Sequence, residues 1–153
     1  HLPSNTVRLS LRMSFNDQLK SLLREYPDYP KPGIIFRDIG PLLSNPAALA
    51  QSVDAIVEAI RASGVDIDSI DAVAGMEARG FIFGVLVAQR INKSFVMIRK
   101  PSKVPGEYFS IDYGLEYGRN TLQLQKSILS AGARVVIVDD LLATGGTAKA
   151  AID

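Results

Sequence analysis

The stretch VVIVDDLLATGGTAKA (135–150) constrains the fold more than any other part of the chain. A short β-branched run between polar residues is the pattern of a strand buried on both faces, as in parallel sheets. It delivers two adjacent carboxylates, Asp139 and Asp140, where the strand must end. Gly145 and Gly146 then permit close backbone approach and unusual φ/ψ, and AKAAID opens a helix. Strand, turn and helix in that order imply an α/β protein with a mostly parallel central sheet flanked by helices. In such sheets ligands gather at the carboxyl ends of the strands. The amides of 143–147, with the hydroxyls of Thr144 and Thr147, can face one anion at the helix start. The neighbouring acids can accept from sugar hydroxyls, so a sugar phosphate suits the segment. The pattern is neither G-x-x-x-x-G-K-[ST] nor G-x-G-x-x-G.

The rest of the chain alternates in the same way. Ser14 opens a helix with Asp17 three residues on; it is carried by Phe15, Leu19, Leu22 and Leu23 and stopped by Pro27, Pro30, Pro32 and Gly33. IIFRDI (34–39) reads as extended. Asn45-Pro46 starts a helix with Leu49, Val53, Ile56, Val57 and Ile60 on one face, and Gly64 stops it. Residues 71–75 read as a buried strand, 81–91 as a buried helix apolar nearly all round, and 94–100 as a strand. A basic loop with Pro and Gly covers 99–107. EYFSID and NTLQLQK alternate as two strands on either side of GLEYG. Residues 1–13 carry Arg8 and Arg12, no acid and no sustained period. They are expected to be an N-terminal extension outside the fold, disordered or added upstream, with Met13 as the start. The last helix has about seven residues against a mean near 11–12, so the chain is expected to end inside its fold.

Composition narrows the chemistry. Cysteine is absent and the one histidine is His1, which removes disulfides, thiolate nucleophiles, His-based triads and Cys/His metal sites. Lys and Arg total 17 against 16 Asp and Glu, a net charge of +1, and that balance gives no whole-molecule field for nucleic acid or an anionic membrane. No apolar run approaches the ~20 residues of a membrane span. What chemistry remains must rest on carboxylates, Arg and Lys, hydroxyls and backbone amides.

VVIVDDLLATGGT resembles the phosphoribosyl-diphosphate signature of type I phosphoribosyltransferases. YPDYPKPGIIFRDIGPLL (26–43), GMEARGFIFG (75–84), IRKPSKVPGE (98–107) and YGLEYG (113–118) resemble, in order, segments of the adenine phosphoribosyltransferase family. The resemblance covers residues 14–153 and implies the type I phosphoribosyltransferase fold, with a flexible β-hairpin or loop, roughly 101–118, over the site. It implies purine salvage: adenine and phosphoribosyl diphosphate give AMP and diphosphate. Mg²⁺ would be held mainly through diphosphate and ribose, with no metal ligand assigned in the chain. The expected setting is a cytoplasmic homodimer without nucleic acid or membrane partners.

Roles carry over by position. Asp139 and Asp140 would hold the ribose hydroxyls, and Ala143, Thr144, Gly145, Gly146 and Thr147 the 5′-phosphate. Glu77, Ala78 and Arg79 match the diphosphate loop, where the family has a non-proline cis peptide. Arg99, Lys100 and Lys103 would also reach diphosphate, in part across a dimer interface. Phe36 would stack on adenine, with backbone groups of Ile35 and Arg37 reading its edge. Arg79 would neutralise diphosphate as it leaves. Glu116 would contact adenine N7 or handle a proton. Family members continue past residue 153, so the domain at 14–153 is expected to lack its C-terminal part. A phosphoribosyl-diphosphate-sensing regulator on the same fold and an inactive shortened form are the competing classes. Loss of the base-reading residues would mark the regulator, and FRD is present here.

Overall fold

The computed structural model describes residues 15–115, 118–142 and 144–153. The chain divides into two units, one ending at Ser52 and one beginning at Val53. The first unit starts with α1 (Phe15–Ser21), then a hairpin of β1 (Arg24–Pro27) and β2 (Ile35–Asp38). The two strands pair antiparallel from Arg24↔Asp38 to Pro27↔Ile35. The prolines between them shape a tight connection. The Tyr29–Pro30 peptide is cis, Gly33 N donates to Asp28 Oδ1 at 2.7 Å, and Tyr29 N donates to Ile34 O at 3.1 Å. The first helix ends at Ser21, short of Leu22 and Leu23, which the apolar spacing had joined to it. β1 has no forerunner in the sequence pattern, because all four of its residues are exposed and leave no period to read. The single helical turn α2 (Gly40–Leu43) is likewise too short for one. The helix α3 (Pro46–Ala62) follows, and Asn45 Oδ1 caps it by accepting from Ala48 N at 3.1 Å, as the Asn-Pro pair predicts.

The second unit contains the main sheet. In chain order it holds β3 (Ala72–Met76), α4 (Gly80–Arg90), β4 (Ser94–Ile98), a hairpin of β5 (Tyr108–Leu115) and β6 (Gly118–Gln125), then β7 (Val135–Val138) and α5 (Gly146–Ile152). The sheet order is β4-β3-β7 and both pairings are parallel. As the central strand, β3 is buried at every residue. Its alternation sorts the two layers. Ala72, Ala74 and Met76 join Val96, Ile98, Leu122 and Ala150 in one buried cluster. Ile111, Tyr113 and Leu124 of the hairpin and Ala148 of α5 pack on that cluster. Val73 and Gly75 point to the opposite face, toward α4. Val73, Val87 and Val96 are the largest fully buried side chains, each worth roughly 1.5–3 kcal/mol.

The hairpin joins the sheet beyond the end of β4. Arg99 and Gln123 exchange backbone hydrogen bonds of 2.9 and 2.7 Å. Both strands run further toward their turn than the alternating segments suggested, so residues 108–115 of the expected closing loop form β5. Among the described residues no helix is long and apolar enough to cross a membrane.

Gly75 lets α4 approach β3 closely. A Cβ there would lie 2.7 Å from the Gly80 carbonyl oxygen and 2.9 Å from the Phe95 ring. Gly75→Ala is therefore expected to destabilise the fold by about 1–3 kcal/mol, read as a lower urea midpoint at unchanged m-value. An unchanged midpoint would mean that backbone and ring yield freely.

Candidate functional site

Parallel strands end level with one another, and here that levelness builds the site. Gly75 and Val138 are register partners, so the segments that follow β3 and β7 emerge at the same edge. Glu77, Ala78 and Arg79 come after β3, Asp139 and Asp140 after β7, and Thr144 to Thr147 lead into α5. All of them line one open cleft of about 780 Å³, together with Lys100 beyond β4 and Tyr113 and Asn120 of the hairpin. Gly80 sets the closeness of the two strand ends. A Cβ at that position would sit 2.8 Å from the Val138 carbonyl oxygen and 3.0 Å from Asp139 Oδ1.

Arg79 Nε reaches Asp140 Oδ2 at 2.9 Å, and the Asp140 side chain is only 8% exposed. Asp140 N donates to Asp139 Oδ1 at 3.0 Å. The Glu77–Ala78 peptide is cis, within the loop where the family resemblance leads one to expect such a bond. Gly145 takes φ +81° ahead of α5, the left-handed conformation its glycine permits.

Two carboxylates of this edge, Glu77 and Asp139, are perturbed in opposite directions. Glu77 is 9% exposed and sits among cations. It is ion-paired and hydrogen-bonded to Lys103, accepts from Lys100 N at 2.9 Å, and lies 3.7 Å from Arg99 Nε. The Lys103 hydrogen bond is the first cause that holds its carboxyl below the ordinary 4.5; the Lys100 amide and the charges of Lys103 and Arg99 add to it, while desolvation opposes. Asp139 is pushed upward. Desolvation of its carboxylate is the first cause and the charge on Asp140 adds, against donation from Asp140 N and the charge on Arg79. The residue as a whole is exposed, which limits the size of that shift but not its sign.

Of the three cations that the sequence groups, Lys100 stands on the cleft wall. Arg99 and Lys103 instead turn to Glu77, and Arg99 Nη1 also donates to the Lys103 carbonyl at 3.0 Å. Tyr113 and Asn120 are cleft residues to which the sequence pattern gave no role. They are directly paired across the hairpin, a relation visible only once the register is known. Tyr113 Oη lies 3.2 Å from Thr147 Oγ1.

Ile35, Phe36 and Arg37 lie on β2, in the first unit. Ile35 is 57% exposed. Phe36 is half-buried with the Tyr29 ring edge-on at 5.3 Å. Arg37 Nε donates to Glu25 Oε1 at 3.0 Å. Glu116 and Ala143 fall outside the described residues, as do residues 1–14. Among the described residues no three of His, Cys, Asp and Glu come together as a metal-ligating group.

The sequence model of the phosphoribosyl transferase domain matches residues 39–153. An adenine phosphoribosyltransferase from Koribacter versatilis is 51% identical over 138 residues, 90% of this chain and 73% of its own. The crystal structure of adenine phosphoribosyltransferase from Saccharomyces cerevisiae, complexed with an imino-altritol bisphosphate and adenine, superposes with a TM-score of 0.83 at 40% identity, over 90% of this chain and 78% of that one. That of Trypanosoma brucei, in complex with AMP, pyrophosphate and ribose-5-phosphate, gives a TM-score of 0.78 at 26% identity, over 94% of this chain and 62% of that one. The chain belongs to the phosphoribosyltransferase family, and within it to the adenine phosphoribosyltransferases.

The Glu77 ion pairs predict a pH dependence. A carboxyl held below its ordinary 4.5 contributes stability that is full above that value and drains as pH falls through the lower, folded-state value. Glu77→Gln is expected to destabilise by on the order of 1 kcal/mol at neutral pH, with half-exposed Lys103 limiting the loss. The difference from the parent protein should close as the pH drops below 4.5. Urea midpoints across that range check it, and a deficit independent of pH would rule out the ion pairs as its source.

Proposed function

We propose that the protein transfers the 5-phosphoribosyl group of phosphoribosyl diphosphate to adenine, giving AMP and diphosphate. The observation that carries this reading is the cleft that the Asp139–Asp140 pair, the Glu77–Arg79 turn and the Thr144–Thr147 segment line together. Acids there suit ribose hydroxyls, and hydroxyls and amides suit a phosphate. Family membership supports the same assignment.

In this reading Asp139 and Asp140 bind the ribose 2′ and 3′ hydroxyls, and the segment 143–147 binds the 5′-phosphate. Arg79, with Lys100 and the loop cations Arg99 and Lys103, meets the diphosphate. The bond from C1′ to a diphosphate oxygen breaks, one from C1′ to an adenine nitrogen forms, and the proton that nitrogen carried leaves to the departing diphosphate or to solvent. Charge grows on the leaving group as C1′ gains oxocarbenium character, so the cations lower the barrier mostly by electrostatics. Closure of the loop that leads into β5 keeps out water that would hydrolyse the donor. Phe36 stacks on the base, backbone groups of Ile35 and Arg37 read its edge, and Glu116 serves adenine N7 or a proton.

Mg²⁺ fits this donor set in one particular way. A hard cation can be held through one or two carboxylates plus substrate oxygens and water. Asp139, whose charged form is disfavoured by desolvation and by Asp140, is a carboxylate that a nearby cation would relieve. With no three-ligand group among the described residues, ribose and diphosphate oxygens would supply most of the coordination. When bound, the ion neutralises charge on diphosphate. A cytoplasmic homodimer completes the reading, and sedimentation tests the dimer.

AMP formation from adenine and phosphoribosyl diphosphate is the direct assay. Turnover with adenine is expected far above that with hypoxanthine or guanine, because a site built for an amine donor rejects a carbonyl in its place. Comparable rates with hypoxanthine would refute the choice of base. Asp139→Asn and Asp140→Asn are each expected to weaken phosphoribosyl-diphosphate binding by about 1.5–3 kcal/mol with adenine affinity nearly unchanged. Calorimetry that found donor affinity unaltered would remove the acid pair from the ribose site.

A further inference from the structure

We propose that Tyr113 is a positioning residue for the phosphate end of the cleft: its phenol fixes the direction in which the Thr147 hydroxyl donates. The inference rests on the sugar-phosphate reading above and adds to it a residue to which that reading gave no role. Three observations carry it. Tyr113 Oη lies 3.2 Å from Thr147 Oγ1. The Tyr113 ring is half-buried and packs on the buried cluster that includes Ala74, Met76 and Leu122, which holds the phenol beside α5. That ring also borders the turn into α5, where its Cδ2 would be 4.0 Å from a Cβ placed on Gly146.

Each hydroxyl of this pair has one proton to give. If Thr147 donated to Tyr113, its proton would be engaged inside the protein and its lone pairs would face the cleft. An anion would then meet only acceptor density. If Tyr113 donates, the Thr147 proton is free to point outward. A phenol is a stronger hydrogen-bond donor than an aliphatic alcohol, and an anion in the cleft selects the same arrangement. The result is a two-link chain, from Tyr113 Oη–H to Thr147 Oγ1 and from Thr147 Oγ1–H to a phosphate oxygen, in which each bond polarises the next. The same link ties β5 to the start of α5. Asn120 is paired with Tyr113 and lines the cleft beside it.

Tyr113→Phe keeps the ring and removes the donor. It is expected to raise the KM for phosphoribosyl diphosphate and the Kd of ribose 5-phosphate about five- to tenfold. The phosphate is remote from C1′, so kcat should stay within about twofold. The KM for adenine should remain at the parent value, and the melting temperature should fall by no more than about 2–4 °C, the loss of one net hydrogen bond. Repeated in a Thr147→Val background, Tyr113→Phe should do nothing further to the Kd of ribose 5-phosphate, since the chain has already lost its second link; a mere packing role would carry over in full. If the parent binds ribose 5-phosphate and Tyr113→Phe binds it equally well, or the loss is the same in both backgrounds, the inference is overturned while the proposed function stands. A parent that neither forms AMP nor binds ribose 5-phosphate would overturn that function and this inference together.

Discussion

The cleft depends on how closely the Gly80 backbone approaches the end of β7. No side chain fits there, since a Cβ would stand 2.8 Å from the Val138 carbonyl oxygen. Because that space is empty, α4 begins against the neighbouring strand, and Arg79, one residue earlier, falls within 2.9 Å of Asp140. The pairing matters because the Asp140 side chain is only 8% exposed. A carboxylate that buried is expensive unless paired and hydrogen-bonded. The parallel register supplies the other half of the arrangement, holding Gly75 level with Val138 so that both turns start from one line.

Around that line the acids divide the labour. Glu77 is answered from within the protein by Lys103, the Lys100 amide and Arg99, and its carboxyl is held down accordingly. It thereby anchors the basic loop after β4 to the turn after β3, adding side-chain ties where Glu77 N already donates to Ile98 O at 3.0 Å. Asp139 lies at the exposed rim and is pushed up by desolvation and by Asp140. The first acid organises protein cations. The second is relieved by whatever brings hydroxyl donors or positive charge into the cleft.

What could be read from the chain beforehand follows from sequence distance. The acid pair and the Thr144–Thr147 turn are contiguous, and a β-branched run before them fixes where they emerge, so this wall of the cleft was legible. So were α4, apolar nearly all round, and β3, short and continuous in apolar residues. The contacts that join the walls were not, because Arg79–Asp140, Glu77–Lys103 and Tyr113–Thr147 each link residues far apart in the chain. Alternation around GLEYG revealed two strands but not their register, and the register alone pairs Tyr113 with Asn120. β1 escaped for the opposite reason: it buries none of its residues and leaves no pattern. Phe36 could be linked to a base only through the family resemblance, since a ring on a short strand reads as packing, and half of it is packing here.

The charge balance of the whole chain is +1, so attraction for a polyanion has to be generated locally. The cleft does not do this by collecting cations alone. Arg79 and Lys100 line it together with Glu77, Asp139 and Asp140. A bare anion entering such a mixture meets repulsion from the acids as well as attraction from the bases. A ligand that carries phosphate groups at its ends and hydroxyl donors between them satisfies both sets at once. The mixed lining thus favours a phosphorylated sugar, and a near-neutral protein can select its substrate through the order in which charges are laid along one sheet edge rather than through their sum.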